Sequence, residues 1–299
     1  MSLRGELLRL GVRTFLKRRS QNLDIAGWRR TMRATERLVP APPSRCQATA
    51  VEANGLTMHR VTMPASRPQR RVLHLHGGGY VAGGPAHYRH FTWRIAEALR
   101  ASVFTPAYRL APEHPFPAAL DDAAKAYAHV AGEAPDTSEL FVLGDSAGGG
   151  LTLALLIRLR DEGRPLPRAA VALSPWTDLA LTGASLVANA SADPMLNATH
   201  LPALTKLYLA DADPRTPYAS PLYGDVKSLP PVLIQAGSDE ILRDDAVRMA
   251  DKLREHNAQS RVEIWPRMPH GWQLFVPVLP EAHQAIARIA DFIAAVEGA

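Results

Sequence analysis

The sequence holds a single cysteine, Cys46, which excludes an intramolecular disulfide and argues against a cysteine-based metal site. A lone small hydrophobe is the simpler reading of that thiol. Long apolar runs are missing too: charges and prolines break each one well short of the roughly 20 residues needed to span a bilayer. Near the N-terminus Arg9 and Arg13 interrupt the stretch from Leu7 to Val12, so a signal-peptide core is not expected and a cytoplasmic location is. Basic charge is not spread along the chain. Residues 1–40 carry ten Lys/Arg against three Asp/Glu, which exceeds the whole net charge of +5 and leaves the remainder slightly acidic. With no recognition motif beside it, that excess does not point to nucleic acid. At 299 residues, 46% apolar and 21% charged, the chain has an ordinary globular balance and can bury a large core.

Two glycine-rich runs carry the chemistry. The first is His76-Gly77-Gly78-Gly79-Tyr80; the second, Gly144-Asp145-Ser146-Ala147-Gly148, fits G-x-S-x-G. Phe141-Val142-Leu143 before the second run reads as the end of a buried strand, and 147–160 after it as a helix. A serine at such a strand-to-helix turn presents its hydroxyl above the sheet, and small neighbours are needed to avoid clashes. The first run offers backbone N–H groups that can approach a developing oxyanion. A phosphate-binding loop is the rival reading of Gly77–Gly79 with Gly83-Gly84, but no G-K-[ST] follows. A serine hydrolase is expected.

Residues 3–18 place Leu3, Leu7, Leu8, Val12, Phe15 and Leu16 near one face, opposite Arg4, Arg9, Arg13 and Lys17. That is amphipathic helical spacing, read as a helix packed on its own protein in preference to a membrane-surface anchor. Pro40-Ala41-Pro42-Pro43 ends the region. Strands are expected at 48–52 and 56–61 around the turn pair Asn54-Gly55, then at 72–76, 102–107, 140–143, 169–173, 232–235 and 261–265. Helical patterns at 88–100, 118–130, 147–160, 244–256 and 281–296 separate most of them, implying a mostly parallel sheet covered on both faces. The stretch 178–224 breaks the alternation and reads as an insertion over the sheet.

A serine nucleophile needs a base, and the base needs a carboxylate to fix its tautomer. In strand–elbow–helix hydrolases the chain order is serine, acid, histidine. Of the histidines after Ser146, His256 and His283 lie in helical patterns and His200 in the insertion, whereas His270 sits in a Pro/Gly-framed turn after a strand. His270 is the expected base. Asp239, just past the strand Val232–Gln235, is the chosen acid; Asp244 and Asp245 are rivals better read as first-turn helix residues, and Glu240 is a weaker rival.

At this point the chain resembles the bacterial hormone-sensitive-lipase family of α/β-hydrolases. Besides the two glycine-rich runs it carries Tyr108-Arg109-Leu110-Ala111-Pro112-Glu113, Phe116-Pro117-Ala118, Asp121-Asp122, Asp193-Pro194, Gly237-Ser238-Asp239, Leu242-Arg243-Asp244 and His270-Gly271, in family order from about residue 72 to 272. The resemblance implies an α/β-hydrolase fold: an eight-stranded, mostly parallel sheet flanked by helices, with a helical cap. Residues 1–45 would supply N-terminal cap helices, 178–224 the cap insertion, and 46–177 with 225–299 the catalytic domain. It implies a carboxylesterase with Ser146, Asp239 and His270 as its triad and an oxyanion hole from the N–H groups of Gly78, Gly79 and Ala147. Asp145 places it with the branch that has Asp before the nucleophile.

Short- to medium-chain esters are the expected substrates, with Tyr80 and Trp176 as pocket walls beside cap residues around 193–209. No metal or organic cofactor is expected, nor nucleic acid or stable membrane insertion; a homodimer is compatible with the sequence. His76 reads as an anchor for the glycine loop, and Arg109 and Glu113 as mutual partners. A lactone or amide hydrolase would use the same residues, and a non-catalytic binding protein on a hydrolase scaffold is the reading from another class.

Overall fold

The computed structural model of the protein describes residues 2–13, 24–132 and 136–298. Asn54 and Gly55 turn as their chemistry allows, both with left-handed φ (53° and 75°), and join β1 (Gln47–Ala53) to β2 (Leu56–Thr62) in register from Ala53↔Leu56 to Gln47↔Thr62. Two such residues match the twist of an antiparallel pair. The other strands are β3 (Arg67–Leu75), β4 (Ala101–Pro106), β5 (Leu140–Asp145), β6 (Ala169–Leu173), β7 (Val232–Gly237) and β8 (Arg261–Trp265). They form one eight-stranded sheet ordered β1-β2-β4-β3-β5-β6-β7-β8. β2 runs antiparallel to β1 and β4, and from β4 to β8 every pairing is parallel. This is the α/β-hydrolase fold expected from the sequence. Strands β4 to β7 are buried along their whole length apart from the β3 entry, as apolar runs covered on both faces must be.

The helices are α1 (Leu3–Val12), α2 (Ile25–Thr35), α3 (Arg89–Leu99), α4 (Ala118–Ala131), α5 (Ala147–Asp161), α6 (Ser185–Ala188), α7 (Leu201–Leu209), α8 (Arg243–Arg254) and α9 (Pro280–Glu297). One core gathers Leu120 and Tyr127 of α4, Leu151 and Leu155 of α5 and Met249 of α8; another gathers Phe91 and Ile95 of α3 with Ile289 and Phe292 of α9. Each fully buried aliphatic or aromatic side chain there contributes roughly 1.5–3 kcal/mol. The consequence for function is rigidity: the C-terminal ends of β5, β6 and β7, where the candidate site lies, are held between two packed layers.

Residues 178–224 contain α6 and α7 and are tied down at their start. The Asp245 carboxylate accepts the N–H groups of Thr177 and Asp178 at 2.8 Å each, and Ser185 Oγ donates to the Ile241 carbonyl at 2.7 Å. Asn189 Nδ2 donates to the carbonyls of Ser238 and Glu240 at 3.0 and 2.8 Å, which fastens this stretch to the loop after β7.

The N-terminal region departs from expectation. α1 buries Gly5 and Val12 and half-buries Leu8, while Leu3 and Leu7 are exposed. Phe15 and Leu16, counted above in the same apolar face, and Lys17, counted opposite it, lie outside the described residues. The sequence reading placed α1 among the cap helices. Its ties run to the α/β layers: Ser2 Oγ donates to Glu281 at 2.9 Å, Glu6 pairs with Arg267 at 2.7 Å, and Arg9 pairs with Asp239. Charge decides the docking, because these partners sit on α9 and on the loops after β7 and β8, which only the folded sheet brings together. In α2 the Trp28 ring lies beside Gly79, as does the Leu204 side chain of α7.

Candidate active site

Ser146 sits between β5 and α5 with φ 55° and ψ −123°, a conformation that side chains other than glycine's adopt at a cost. Its neighbours show why glycine is required on either side. A Cβ on Gly144 would come within 2.2 Å of the Gly148 carbonyl oxygen, and one on Gly148 within 2.0 Å of the Leu75 carbonyl oxygen. The strained backbone is held by three bonds: Ser146 N–H to the Leu173 carbonyl at 2.8 Å, and its own carbonyl to the N–H groups of Gly150 (3.1 Å) and Trp176 (3.0 Å). Ser146 itself is half-buried.

His270 Nε2 lies 2.9 Å from Ser146 Oγ, and its Nδ1 lies 3.0 Å from Glu240 Oε2. A carboxylate can only accept, so Nδ1 carries the proton and Nε2 is left to accept from the serine hydroxyl. Burial by itself would lower the His270 pKa, but the hydrogen bond and charge of Glu240 outweigh it and raise the value above the ordinary one. Glu240 is fully buried; burial pushes its carboxyl up, and His270, the Gly237 N–H at 2.5 Å and the Ser174 hydroxyl at 2.7 Å oppose that rise.

The structure differs from the sequence reading here: Glu240, and not Asp239, lies against His270. Asp239 does not face His270; its carboxylate pairs with Arg9 and accepts the Ser238 hydroxyl at 2.8 Å. The reason lies in the turn after β7. The Glu240 N–H folds back to the Gly237 carbonyl (3.4 Å), so the fourth residue of the turn returns over the strand end while the third points away. Asp244 and Asp245 are taken up by residues 177–185, as the Ser185 N–H bond to Asp244 at 2.9 Å shows. His200, His256 and His283 lie in the 178–224 stretch, after α8 and within α9.

The glycine loop is oriented by buried polar groups. Gly77 N–H donates to Tyr88 Oη (2.9 Å) and Asp145 Oδ1 (3.0 Å), and Tyr88 Oη–H donates to Asp145 Oδ2 at 2.9 Å. Among the described residues, no hydrogen bond occupies the N–H groups of Gly78, Gly79 or Ala147. Gly78 adopts φ 121°, and a Cβ there would strike the Ala82 carbonyl oxygen at 2.0 Å. His76 has the anchoring place expected of it: Nδ1–H donates to the Gly77 carbonyl at 2.8 Å and the ring stacks on Tyr108 at 4.1 Å. Burial drives its pKa down to about 4, so it is neutral at pH 7.

Tyr80 and Trp176 are both fully buried, with ring centroids 6.3 Å apart, and Tyr80 stacks on Tyr208 of α7 at 3.7 Å. Arg109 pairs with Asp122 at 2.8 Å and not with Glu113, which Arg29 of α2 takes at 2.7 Å. Arg29 also donates to the carbonyls of Val81 (2.6 Å) and Ala111 (2.7 Å), so one side chain bridges α2, the glycine loop and the following loop. A cavity of about 320 Å³ beside it is lined by Met32, Arg33, His87 and His114 among others, and does not include Ser146 or His270. Among the described residues, no group of three or more His, Cys, Asp or Glu could hold a metal ion, and no helix is long and apolar enough to cross a membrane.

Residues 72–274 match the family model for the alpha/beta hydrolase fold. The chain is 42% identical over 235 residues to an acetyl-hydrolase of Streptomyces hygroscopicus, covering 79% of each. Its structure superposes on that of an esterase/lipase from an uncultured bacterium with a TM-score of 0.94 and 36% identity over all of both chains. It also superposes, over 98% of each chain at 38% identity and a TM-score of 0.91, on an esterase from the bacterial hormone-sensitive lipase family.

Proposed function

Since the chain belongs to the bacterial hormone-sensitive-lipase-like family of α/β-hydrolases and is a carboxylic ester hydrolase, we propose that it is a serine esterase acting on short- to medium-chain esters through an acyl-enzyme. The observation that carries this reading is the continuous hydrogen-bond path from Ser146 Oγ through His270 to Glu240. Ser146 is the nucleophile, His270 the base and Glu240 the acid.

Ser146 Oγ attacks the ester carbonyl carbon while His270 Nε2 takes the hydroxyl proton. Charge then develops on the carbonyl oxygen, where the N–H groups of Gly78, Gly79 and Ala147 meet it; each preorganised donor is worth about 3 kcal/mol in the transition state. Glu240 stabilises the imidazolium without taking its proton. His270 next protonates the leaving alcohol oxygen as the C–O bond breaks, and the acyl group remains on Ser146. A water molecule repeats the sequence, giving its proton to His270, and releases the carboxylic acid and free Ser146.

α2 and residues 178–224 form the cap. Trp28 and Leu204 close over Gly79, and the buried Tyr80–Tyr208 stack with Trp176 bounds the space an acyl chain enters. Labelling with a fluorophosphonate probe tests the nucleophile. Wild type should be modified at Ser146, and Ser146→Ala should lose both labelling and at least about a thousandfold of p-nitrophenyl ester turnover. A folded Ser146→Ala variant that still labels or turns over normally sinks the reading.

A further inference from the structure

Ser174 follows β6 and is fully buried, and its backbone adopts φ 46°. A serine held in the left-handed region carries a conformational cost that its surroundings must offset. Two contacts of its hydroxyl show what that conformation achieves. Ser174 Oγ lies 2.7 Å from Glu240 Oε1, and the Gly271 N–H lies 3.1 Å from the same Oγ. The sense of both bonds is settled by the partners. A backbone N–H can only donate, so Oγ accepts from Gly271; the one hydroxyl proton is then free for the carboxylate. The backbone of Ser174 is pinned as well, its N–H meeting the Gln235 carbonyl at 2.6 Å.

We propose that Ser174 is a positioning residue for catalysis: its hydroxyl couples the Glu240 carboxylate directly to the loop that carries His270, fixing the acid and the base relative to each other. The inference rests on the reading of Glu240 and His270 as acid and base. Glu240 has one oxygen on His270 Nδ1; the other is held by Gly237 N–H and Ser174 Oγ–H, so the carboxylate cannot rotate away from the imidazole without breaking both. Gly271 adjoins His270 and is itself in the left-handed region at φ 62°, so its N–H direction and the imidazole's approach to Ser146 are set together. The hydroxyl thus joins the ends of β6 and β7 and the loop after β8 at one atom. It touches neither substrate nor reacting atom.

The sign of the pH effect follows from which state the hydroxyl stabilises. It donates to the ionised carboxylate, so removing it makes the His270–Glu240 pair bind its next proton more readily, whichever member takes it. The acidic limb of the rate profile then moves to higher pH.

Ser174→Ala and Ser174→Gly are compared with wild type, Glu240→Gln and the Ser174→Ala/Glu240→Gln double variant, with thermal melts as the folding control. Ser174→Gly is included because glycine accepts the left-handed φ freely, so it stays informative should the alanine variant not fold. On p-nitrophenyl acetate, kcat should fall by about tenfold to a hundredfold, the range expected for a lost hydrogen bond to a charged group, with KM within about twofold. The acidic limb should move up, and in the Glu240→Gln background the same substitution should cost under about threefold. A folded variant with wild-type kcat and an unmoved limb overturns the proposal, as does an undiminished loss in the Glu240→Gln background, which would mean a merely structural role. Full activity in Glu240→Gln alone is a separate outcome and overturns the acid assignment on which the proposal stands.

Discussion

Arg9, on the first helix, forms an ion pair with Asp239, the residue immediately before Glu240. The same guanidinium reaches the Arg267 carbonyl at 3.1 Å, three residues before His270. Ser238 Oγ completes the link, donating to Asp239 and accepting the Arg267 N–H at 2.8 Å each. Two neighbouring carboxylates thus have opposite environments: Asp239 faces a partly exposed cation and Glu240 a buried imidazole.

That contrast separates the two by mutation. Glu240→Gln should lower kcat by about 10³–10⁴-fold, because an amide neither holds the required histidine tautomer nor stabilises the imidazolium. Asp239→Asn should cost less than about tenfold, since a partly exposed ion pair is worth only about 0–1 kcal/mol. Steady-state kinetics on one p-nitrophenyl ester decides the matter, and a reversed ranking would return the acid role to Asp239.

The pH profile carries a second expectation. Glu240 raises the His270 pKa, and the active form is the neutral imidazole, so activity should be lost on acidification with a midpoint above the ordinary histidine value of about 6.5. Glu240→Gln removes the raising influence and leaves burial, which lowers the pKa; whatever activity survives should show a limb at lower pH. kcat/KM between about pH 5 and 9 checks both, and a midpoint that rises in the variant contradicts the assignment.

Arg29 ties α2 to the glycine loop through carbonyls that no water-exposed pair could replace. Arg29→Ala should destabilise the protein by about 1–3 kcal/mol and reduce kcat/KM, because the Val81 carbonyl it holds belongs to the turn carrying Gly78. Glu113→Gln, which touches only the exposed side of the same guanidinium, should cost under about 1 kcal/mol. Urea melts and kinetics of the two variants should differ accordingly; equal effects would show that the ion pair, not the carbonyl bonds, does the fastening.

Acyl length should matter up to a limit. Each buried CH₂ gains about 0.8 kcal/mol until the space bounded by Tyr80, Trp176 and the α7 side chains is full, after which extension is penalised. kcat/KM should therefore peak at short or medium acyl chains, and Leu204→Ala, which opens the roof over Gly79, should move the optimum to longer ones. A rate still climbing at about C16 in wild type would falsify the closed pocket.

Much of this protein is written locally, and that is why it was legible. Strand β6 begins and ends where its apolar run does, and Asn54-Gly55 makes its hairpin because such residues accept two successive left-handed φ values. Ser146 is equally local, since the glycines around it are needed to avoid backbone atoms at about 2 Å. His270 followed from chain order and a Pro/Gly-framed turn. By themselves these residues determined the fold class and singled out Ser146 and His270 as the proposed nucleophile and base.

Tertiary structure decided what local pattern leaves degenerate. Asp239 and Glu240 are adjacent acids after one strand, and no periodicity distinguishes them; a four-residue turn aims one inward, and an arginine from the far N-terminal helix claims the other. A Gly-x-x-Glu turn directly after a buried strand was the only signal available for Glu240. Arg109 chose Asp122 over Glu113 in the same way, because Glu113 was taken by Arg29 from a segment remote in sequence. Ser174 shows no signature at all, since an apolar strand ending in serine is commonplace and its partners come from two other loops. Pairing between charges is long-ranged in sequence and settled by which loops the packed sheet brings within hydrogen-bond reach, whereas strands, turns and elbows are fixed by sterics within a few residues.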